Sequence, residues 1–180
     1  LVLGSGGRGE SLLAPDQDNA LIIADGYDGD LGSESDWFTR FASRINEILD
    51  RAGIPYCTGG VMAKNRAWRR SLSEWQAEID DWVRHPSPQS LLNVDIFYDF
   101  TPVHASGPAG ARLVDSLRTH ATTAARSGLG MLRAMGETAG AHSPPLGLFG
   151  RIRKDEAGRV DLKSGGLLPI VAGARVIALR

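Results

Sequence analysis

Apolar and polar positions alternate along the chain with two periods, one close to 2 and one close to 3.6, separated by turn-forming clusters. Leu1-Val2-Leu3 is a short apolar run that breaks at a glycine cluster, which predicts a strand followed by a tight backbone turn. Glu10 to Ala14 has room for about one helical turn before Pro15 stops it. Gln17 to Ala24 predicts a second strand, and the polar, glycine- and aspartate-rich stretch Tyr27 to Ser35 a loop. Trp37, Phe41, Ile45 and Ile48 recur at helical spacing, with Asp36 placed as N-cap and Gly53 as C-terminal stop. A second helix opens on the capping-box spacing Ser71-Leu72-Ser73-Glu74. It carries Leu72, Trp75, Ile79 and Trp82 on one face and ends at His85-Pro86. Between these helices lies a glycine-containing loop, Tyr56 to Asn65. Leu91 to Phe100 is rich in apolar and aromatic residues and closed by Pro102, which predicts a third strand.

Beyond the small-residue stretch Ala105 to Gly110 the pattern turns helical. Leu113, Leu117 and Ala121 share one face, and Leu129, Leu132 and Met135 follow. Phe149 to Arg153 and Val160 to Lys163, joined through Ala157-Gly158, predict a hairpin. A final helix carries Leu167, Val171, Ala174, Ile177 and Ala178. The shift in pattern puts a domain boundary near residue 108. The expected fold is α+β: residues 1–108 form a small mixed sheet, with strands at Leu1, Gln17 and Leu91, flanked by helices near 36–52 and 71–84. Residues 109–180 form a mainly helical domain. Because both ends fall inside such elements, the chain reads as an excerpt of a longer one, its second domain truncated.

Charge narrows the partners. Twenty basic against 21 acidic residues leave a formal net charge of -1, which gives no support to a nucleic-acid or acidic-membrane partner. The single Cys57 excludes an internal disulfide and a multi-cysteine zinc site, as suits a reducing cytoplasm. No apolar run approaches the roughly 18 residues of a membrane span, so a cytoplasmic protein is expected.

The candidate chemistry lies near the start. Asp16 and Asp18 are two apart, so on a strand their carboxylates leave one face while Gln17 points to the other, and two hard carboxylates on one face make a magnesium site. Upstream, Gly4-Ser5-Gly6-Gly7-Arg8-Gly9 offers backbone N–H groups that no side chain shields from phosphate oxygens. Either feature alone fits an ordinary turn or cap; their joint spacing favours nucleotidyl transfer. The same glycines also fit G-x-G-x-x-G, with Asp25 following at the end of the next strand, as in a dinucleotide fold. That fold needs a full crossover helix, for which Pro15 leaves no room, and it has no use for Asp16-x-Asp18.

Gly4-Ser5-x-Gly7-Arg8-x-Glu10 followed by Asp16-Gln17-Asp18-Asn19-Ala20-Leu21-Ile22 resembles the signature of the nucleotidyltransferases related to protein-PII uridylyltransferase, within the DNA polymerase beta superfamily. More specifically, it resembles a bacterial family whose members often carry cystathionine-beta-synthase-type and cyclic-nucleotide-binding regulatory domains. Cys57-Thr58-Gly59-Gly60-Val61-Met62-Ala63-Lys64-Asn65 with Trp68, and Ile96-Phe97-Tyr98-Asp99-Phe100, agree with it. So do Pro145-Leu146-Gly147-x-Phe149 and Asp161-Leu162-Lys163-x-Gly165-Gly166-x-x-Pro169-Ile170, in the family's helical, substrate-binding-type second domain.

The resemblance implies that Gly4, Ser5, Gly7 and Arg8 handle a nucleoside triphosphate and that Asp16 and Asp18 hold Mg2+ or Mn2+. It also implies that Asp99 supplies a third carboxylate for metal and catalysis. Asp95 shares its face on the expected strand, about 13 Å away at roughly 3.3 Å per residue. The implied reaction moves a nucleoside monophosphate to a hydroxyl acceptor, among them a tyrosine on a regulatory partner protein, in signal transduction. The alternative is a nucleotide-sensing module acting through regulatory domains outside this stretch. Two positions depart from the family pattern: Thr101 stands where an arginine is expected, and Ala105-Ser106 where a Gly-Asp pair is expected. His104 is a weaker candidate base. The tryptophans at 37, 68, 75 and 82 suit packing, and the basic run Lys64, Arg66, Arg69, Arg70 suits a solvated face.

Overall fold

A computed structural model describes residues 1–11, 15–147 and 151–180. By proximity the chain divides into two compact units. The first comprises Leu1–Asp81 and Leu92–Ala121, the second Trp82–Leu91 and Thr122–Arg180.

The first unit is built around an extended opening segment. Leu1 to Leu3 lies antiparallel to the Asp18–Ala20 stretch on one side and to Thr101 on the other, with bridges Val2 to Asn19 and Val2 to Thr101. Leu3 N–H donates to the Asp18 carbonyl at 2.9 Å and Ala20 N–H to the Leu1 carbonyl at 3.0 Å. The glycine cluster forms a single helical turn, α1 (Gly4–Gly7). Strand β1 (Leu21–Ile23) continues the Asp16–Asp18 segment and pairs in parallel with β2 (Arg69–Ser71), Leu21 opposite Arg69. The antiparallel relation of Val2 to Asn19 is incompatible with the parallel first pair of a dinucleotide fold. Asp25, the residue that fold would use, instead accepts hydrogen bonds from the N–H and hydroxyl of Ser73. The helical turn expected over Glu10 to Ala14 falls partly on residues 12–14, outside the described residues.

Both expected helices form. Helix α2 (Trp37–Arg51) starts at Asp36, whose carboxylate accepts from Thr39 N–H at 3.1 Å, and ends before Gly53. Helix α3 (Leu72–Arg84) has the full capping box: Ser71 N–H donates to Glu74 Oε2 at 2.8 Å and Glu74 N–H to Ser71 Oγ at 3.2 Å. Trp75, Ile79 and Trp82 are buried as their spacing predicts. The α2 stripe is not: Trp37, Phe41, Ile45 and Ile48 stay exposed, and the helix buries Ala42 and Asn46 instead.

The third strand does not form. Pro88–Phe97 is a helix, α4, and Asp99 sits in the turn after it. Ser87 caps this helix, accepting from Ser90 N–H at 3.1 Å, and Pro88 takes the first helical position, where its missing N–H costs nothing. Ser90, Val94 and Phe97 are buried at helical spacing. The β-favouring composition of this stretch is overridden by that cap and stripe. Asp95 and Asp99 therefore share no strand face, and only Thr101, beyond the helix, pairs with Val2. Helix α5 (Gly107–Ser127) adds Val114, Leu117 and Ala121 to the core.

The second unit contains α6 (Leu129–Ala141), a π-helical turn at Lys163–Leu167, and α7 (Leu168–Leu179). Met131, Leu132 and Met135 are buried on α6, whereas Leu129 is exposed. On α7 the buried residues are Ala172, Arg175 and Leu179, a stripe displaced from the expected one, and Leu167 and Ile177 are exposed. Among the described residues the expected pairing of the Arg153 stretch with Val160 to Lys163 does not form: Ile152 bridges Leu146 instead, Asp155 to Arg159 forms a turn, and Lys163 is helical. Phe149 lies outside the described residues. In sum the architecture is α+β, mainly helical with a small two-stranded parallel sheet. Among the described residues no helix is long and apolar enough to cross a membrane.

Candidate metal centre

The Asp16–Asp18 segment alternates as a strand should. Gln17 is buried, while Asp16 is exposed and Asp18 half-buried. A buried amide needs partners, and Gln17 has them: its Nε2 donates to the carbonyls of Asn46 at 3.0 Å and Ile54 at 2.7 Å, and its Oε1 accepts from Asn46 Nδ2 at 2.8 Å. Asn46 also reaches Asn19 Oδ1 at 3.2 Å and accepts from Lys64 N–H at 3.0 Å. Asn19 Oδ1 in turn accepts from Ala63 N–H at 2.9 Å. This network joins α2, the aspartate segment and the Tyr56–Asn65 loop beneath the two carboxylates.

The loop runs along the free side of the aspartate segment. Gln17 N–H donates to Pro55 O at 3.2 Å and Asn19 N–H to Val61 O at 3.0 Å. Between these two bonds Cys57 turns toward the carboxylates, and one ligand atom from each of Asp16, Asp18 and Cys57 lies within 4.8 Å of the others. Burial, chiefly, and a hydrogen bond to Asp18 hold the thiol pKa above its ordinary value, although the N–H groups of Val61 and Gly59 pull the other way. Two converging carboxylates are a donor set that fits a hard divalent cation.

Close approach explains two of the glycines. Gly4 has φ +53°, and a Cβ there would lie 3.2 Å from Asp18 Oδ2. At Gly7 a Cβ would overlap the Asp99 carbonyl. The turn thus lies against Asp18 at one end and Asp99 at the other. Arg8 makes a close ion pair with Asp99 and a second, at 2.8 Å, with Glu10. Burial alone would lower the Arg8 pKa, but the two carboxylates raise it overall. Ser5 Oγ lies 2.9 Å from Ser11 Oγ. Asp99 is paired with Arg8 and does not belong to the three-residue group with Asp16 and Asp18. Beside that group opens a mostly apolar cavity of about 470 Å³, bordered by Asp16, Asp18, Phe41, Ile45, Val103 and His104. His104 itself is exposed.

The basic run is engaged internally rather than spread over a solvated face. Arg69 is buried and donates to the carbonyls of Leu31, Ala63 and Lys64. Arg66 pairs with Glu74, Arg70 with Glu78 at 3.0 Å, and Lys64 Nζ sits 3.7 Å above the Tyr56 ring.

The family model described as "Putative nucleotidyltransferase DUF294" matches residues 1–89, and "Putative nucleotidyltransferase substrate binding domain" matches residues 130–180. The chain belongs to the DUF294 family. In this DUF294 chain Asp16, Asp18, the glycine turn and Cys57 fall inside the first match, and α6 and α7 inside the second. No curated protein and no solved structure matches it.

Sequence reasoning did not single out Gln17, Asn46 or Cys57 as parts of the centre. A signal was present for two of them: an asparagine inside an amphipathic helix, and a cysteine directly before Thr58-Gly59-Gly60, a stretch able to turn a side chain back on the strand.

Proposed function

We propose that this DUF294 chain is a Mg2+- or Mn2+-dependent nucleotidyltransferase. It moves a nucleoside monophosphate from a nucleoside triphosphate to a hydroxyl acceptor, the acceptor lying on a small molecule or a regulatory protein. One observation carries the reading: Asp16 and Asp18 converge beside the Gly4–Gly7 turn, so a carboxylate pair and a close-approach backbone share one place.

Asp16 and Asp18 would hold the cation, which when bound supplies charge neutralisation for the triphosphate and the attacking oxygen. Gly4 and Ser5 would receive phosphate oxygens, since amides in the first turn of a helix have no acceptor within it, whereas Gly7, whose N–H already donates to the Leu3 carbonyl at 2.9 Å, would contribute only the close approach its missing side chain allows. Arg8 would exchange Asp99 for phosphate, which releases Asp99 as the third carboxylate to orient the acceptor proton. In the division of labour we propose, residues 1–108 handle the nucleotide and residues 109–180 the substrate. The two matched ranges support that split.

One observation favours a nucleotide-sensing role instead. Thr101, where the family pattern has an arginine, is committed to structure: its hydroxyl donates to the Gly7 carbonyl at 2.8 Å and its backbone pairs with Val2.

Titration of the four triphosphates with magnesium by calorimetry, followed by a pyrophosphate-release assay, separates the two readings. Turnover is expected for at least one triphosphate, and Asp18→Asn should abolish magnesium-dependent binding and release. Binding without release favours the sensor. Unchanged turnover in the Asp16→Asn, Asp18→Asn double variant would sink the metal reading altogether.

A further inference from the structure

We propose that Cys57 makes the Asp16–Asp18 centre a site for a thiophilic divalent cation, Zn2+ above all, which competes there with Mg2+. The inference rests on the reading of the aspartate pair as a metal centre and adds the sulfur to it.

The placement of Cys57 is built in. Its loop is stitched to the aspartate segment on either side, at Gln17 and Asn19, and closed on itself by Gly60 N–H to Cys57 O at 3.0 Å. Ala63 and Lys64, at the far end of the loop, are tied to Asn19 and the buried Asn46. The sulfur is therefore presented to the carboxylates by backbone pairing, and the three ligand atoms lie within 4.8 Å of one another. Tetrahedral Zn2+ with ligands at about 2.0–2.3 Å needs them roughly 3.5 Å apart. The exposed Asp16 side chain has the freedom to close that difference by rotation.

Ligand chemistry then decides which cation gains. Mg2+ takes hard oxygen donors in near-octahedral geometry and draws nothing from a sulfur, whereas thiolate is among the best zinc ligands. With Cys57 engaged, Zn2+ has three protein ligands and an open position. With Cys57 uninvolved, only the two carboxylates remain, which serve Mg2+. When the sulfur takes the cation its proton leaves to solvent, with no redox change. Zn2+ would thereby withdraw both carboxylates from the magnesium-dependent reaction, a control of the centre by metal identity.

Cobalt(II), a spectroscopic stand-in for Zn2+, tests this on the unaltered chain. The chain has one cysteine, so a sulfur-to-cobalt charge-transfer band in the near ultraviolet can come only from Cys57. The band is expected, Zn2+ should displace it, and Zn2+ should protect the thiol from iodoacetamide until excess Mg2+ restores alkylation. In Cys57→Ser the band should vanish and the ratio of Zn2+ to Mg2+ affinity should fall about tenfold or more. Cobalt bound without the band, or an unchanged ratio in Cys57→Ser, overturns the role of the thiol while magnesium-nucleotide binding leaves the aspartate reading standing. A band that survives Asp16→Asn, Asp18→Asn also overturns it, since the sulfur would then bind without the pair. Failure to bind cobalt and magnesium alike removes both readings together.

Discussion

Helices α2 and α3 are neighbours in sequence, similar in length and both capped by a side chain, yet they use their apolar residues in opposite ways. Helix α3 turns Trp75 and Ile79 fully inward, stacks Trp75 on Phe97 at 4.9 Å, and uses the Trp75 indole N–H to hold the Leu21 carbonyl of β1 at 2.9 Å. Helix α2 keeps Trp37 at 55 % and Ile48 at 49 % exposure and turns inward a small residue, Ala42, and a polar one, Asn46. The difference separates two tasks. One helix supplies burial, which stabilises in proportion to apolar area removed from water. The other supplies a hydrogen-bonded platform for the aspartate segment on one side and, through Phe41 and Ile45, an apolar wall to the cavity beside it.

If that separation is right, the largest loss of stability comes from α3. Trp75→Ala removes a fully buried indole and leaves the Leu21 carbonyl without its donor, so a cost of about 4 kcal/mol is expected, read by urea denaturation followed by far-ultraviolet circular dichroism. A cost below about 1 kcal/mol would mean that α3 is not the packing element.

Asn46→Ala comes next and should touch both stability and the centre. It strips Gln17 Oε1 and Lys64 N–H of their buried partner, at about 2–3 kcal/mol. It also loosens the support of both the aspartates and the Cys57 loop. Such outer supports are worth about 10–100-fold in metal affinity, so cation binding should weaken together with stability. Loss of stability with unaltered cation affinity would reduce the network to ordinary core packing.

The elements that could be read from sequence are those set by neighbours in the chain. The Asp16-x-Asp18 alternation needs only the strand period, and the Ser71–Glu74 box needs only its own spacing. Helix α4 was equally local, since Ser87-Pro88 is a cap and first-position pair, but the density of Val94, Ile96, Phe97 and Tyr98 pointed to a strand and masked it. Cys57 and Asn46 are another matter. Their places depend on pairings 29 to 44 residues apart, Gln17 with Asn46 and Asn19 with Ala63, which no periodicity encodes. The exposed α2 stripe has a similar cause: a hydrophobic period identifies a face, not whether anything within the chain covers it.

The smallest effect is expected on that uncovered stripe, and it is the sharpest test of the contrast between the helices. Ile48 lies on α2 two residues beyond Asn46, on the opposite side of the helix at about 100° per residue, and keeps about half its surface in water. Serine there forfeits only the apolar area already buried and a small amount of helix propensity, so Ile48→Ser should shift stability by no more than about 0.5 kcal/mol. Because Ile48 faces away from Gln17 and Lys64, cation affinity at Asp16 and Asp18 should be unchanged, in contrast to Asn46→Ala two residues earlier. A loss of 2 kcal/mol or more by roughly the same urea titration would show that the α2 stripe is packed in solution, and the two helices would then differ in sequence but not in task.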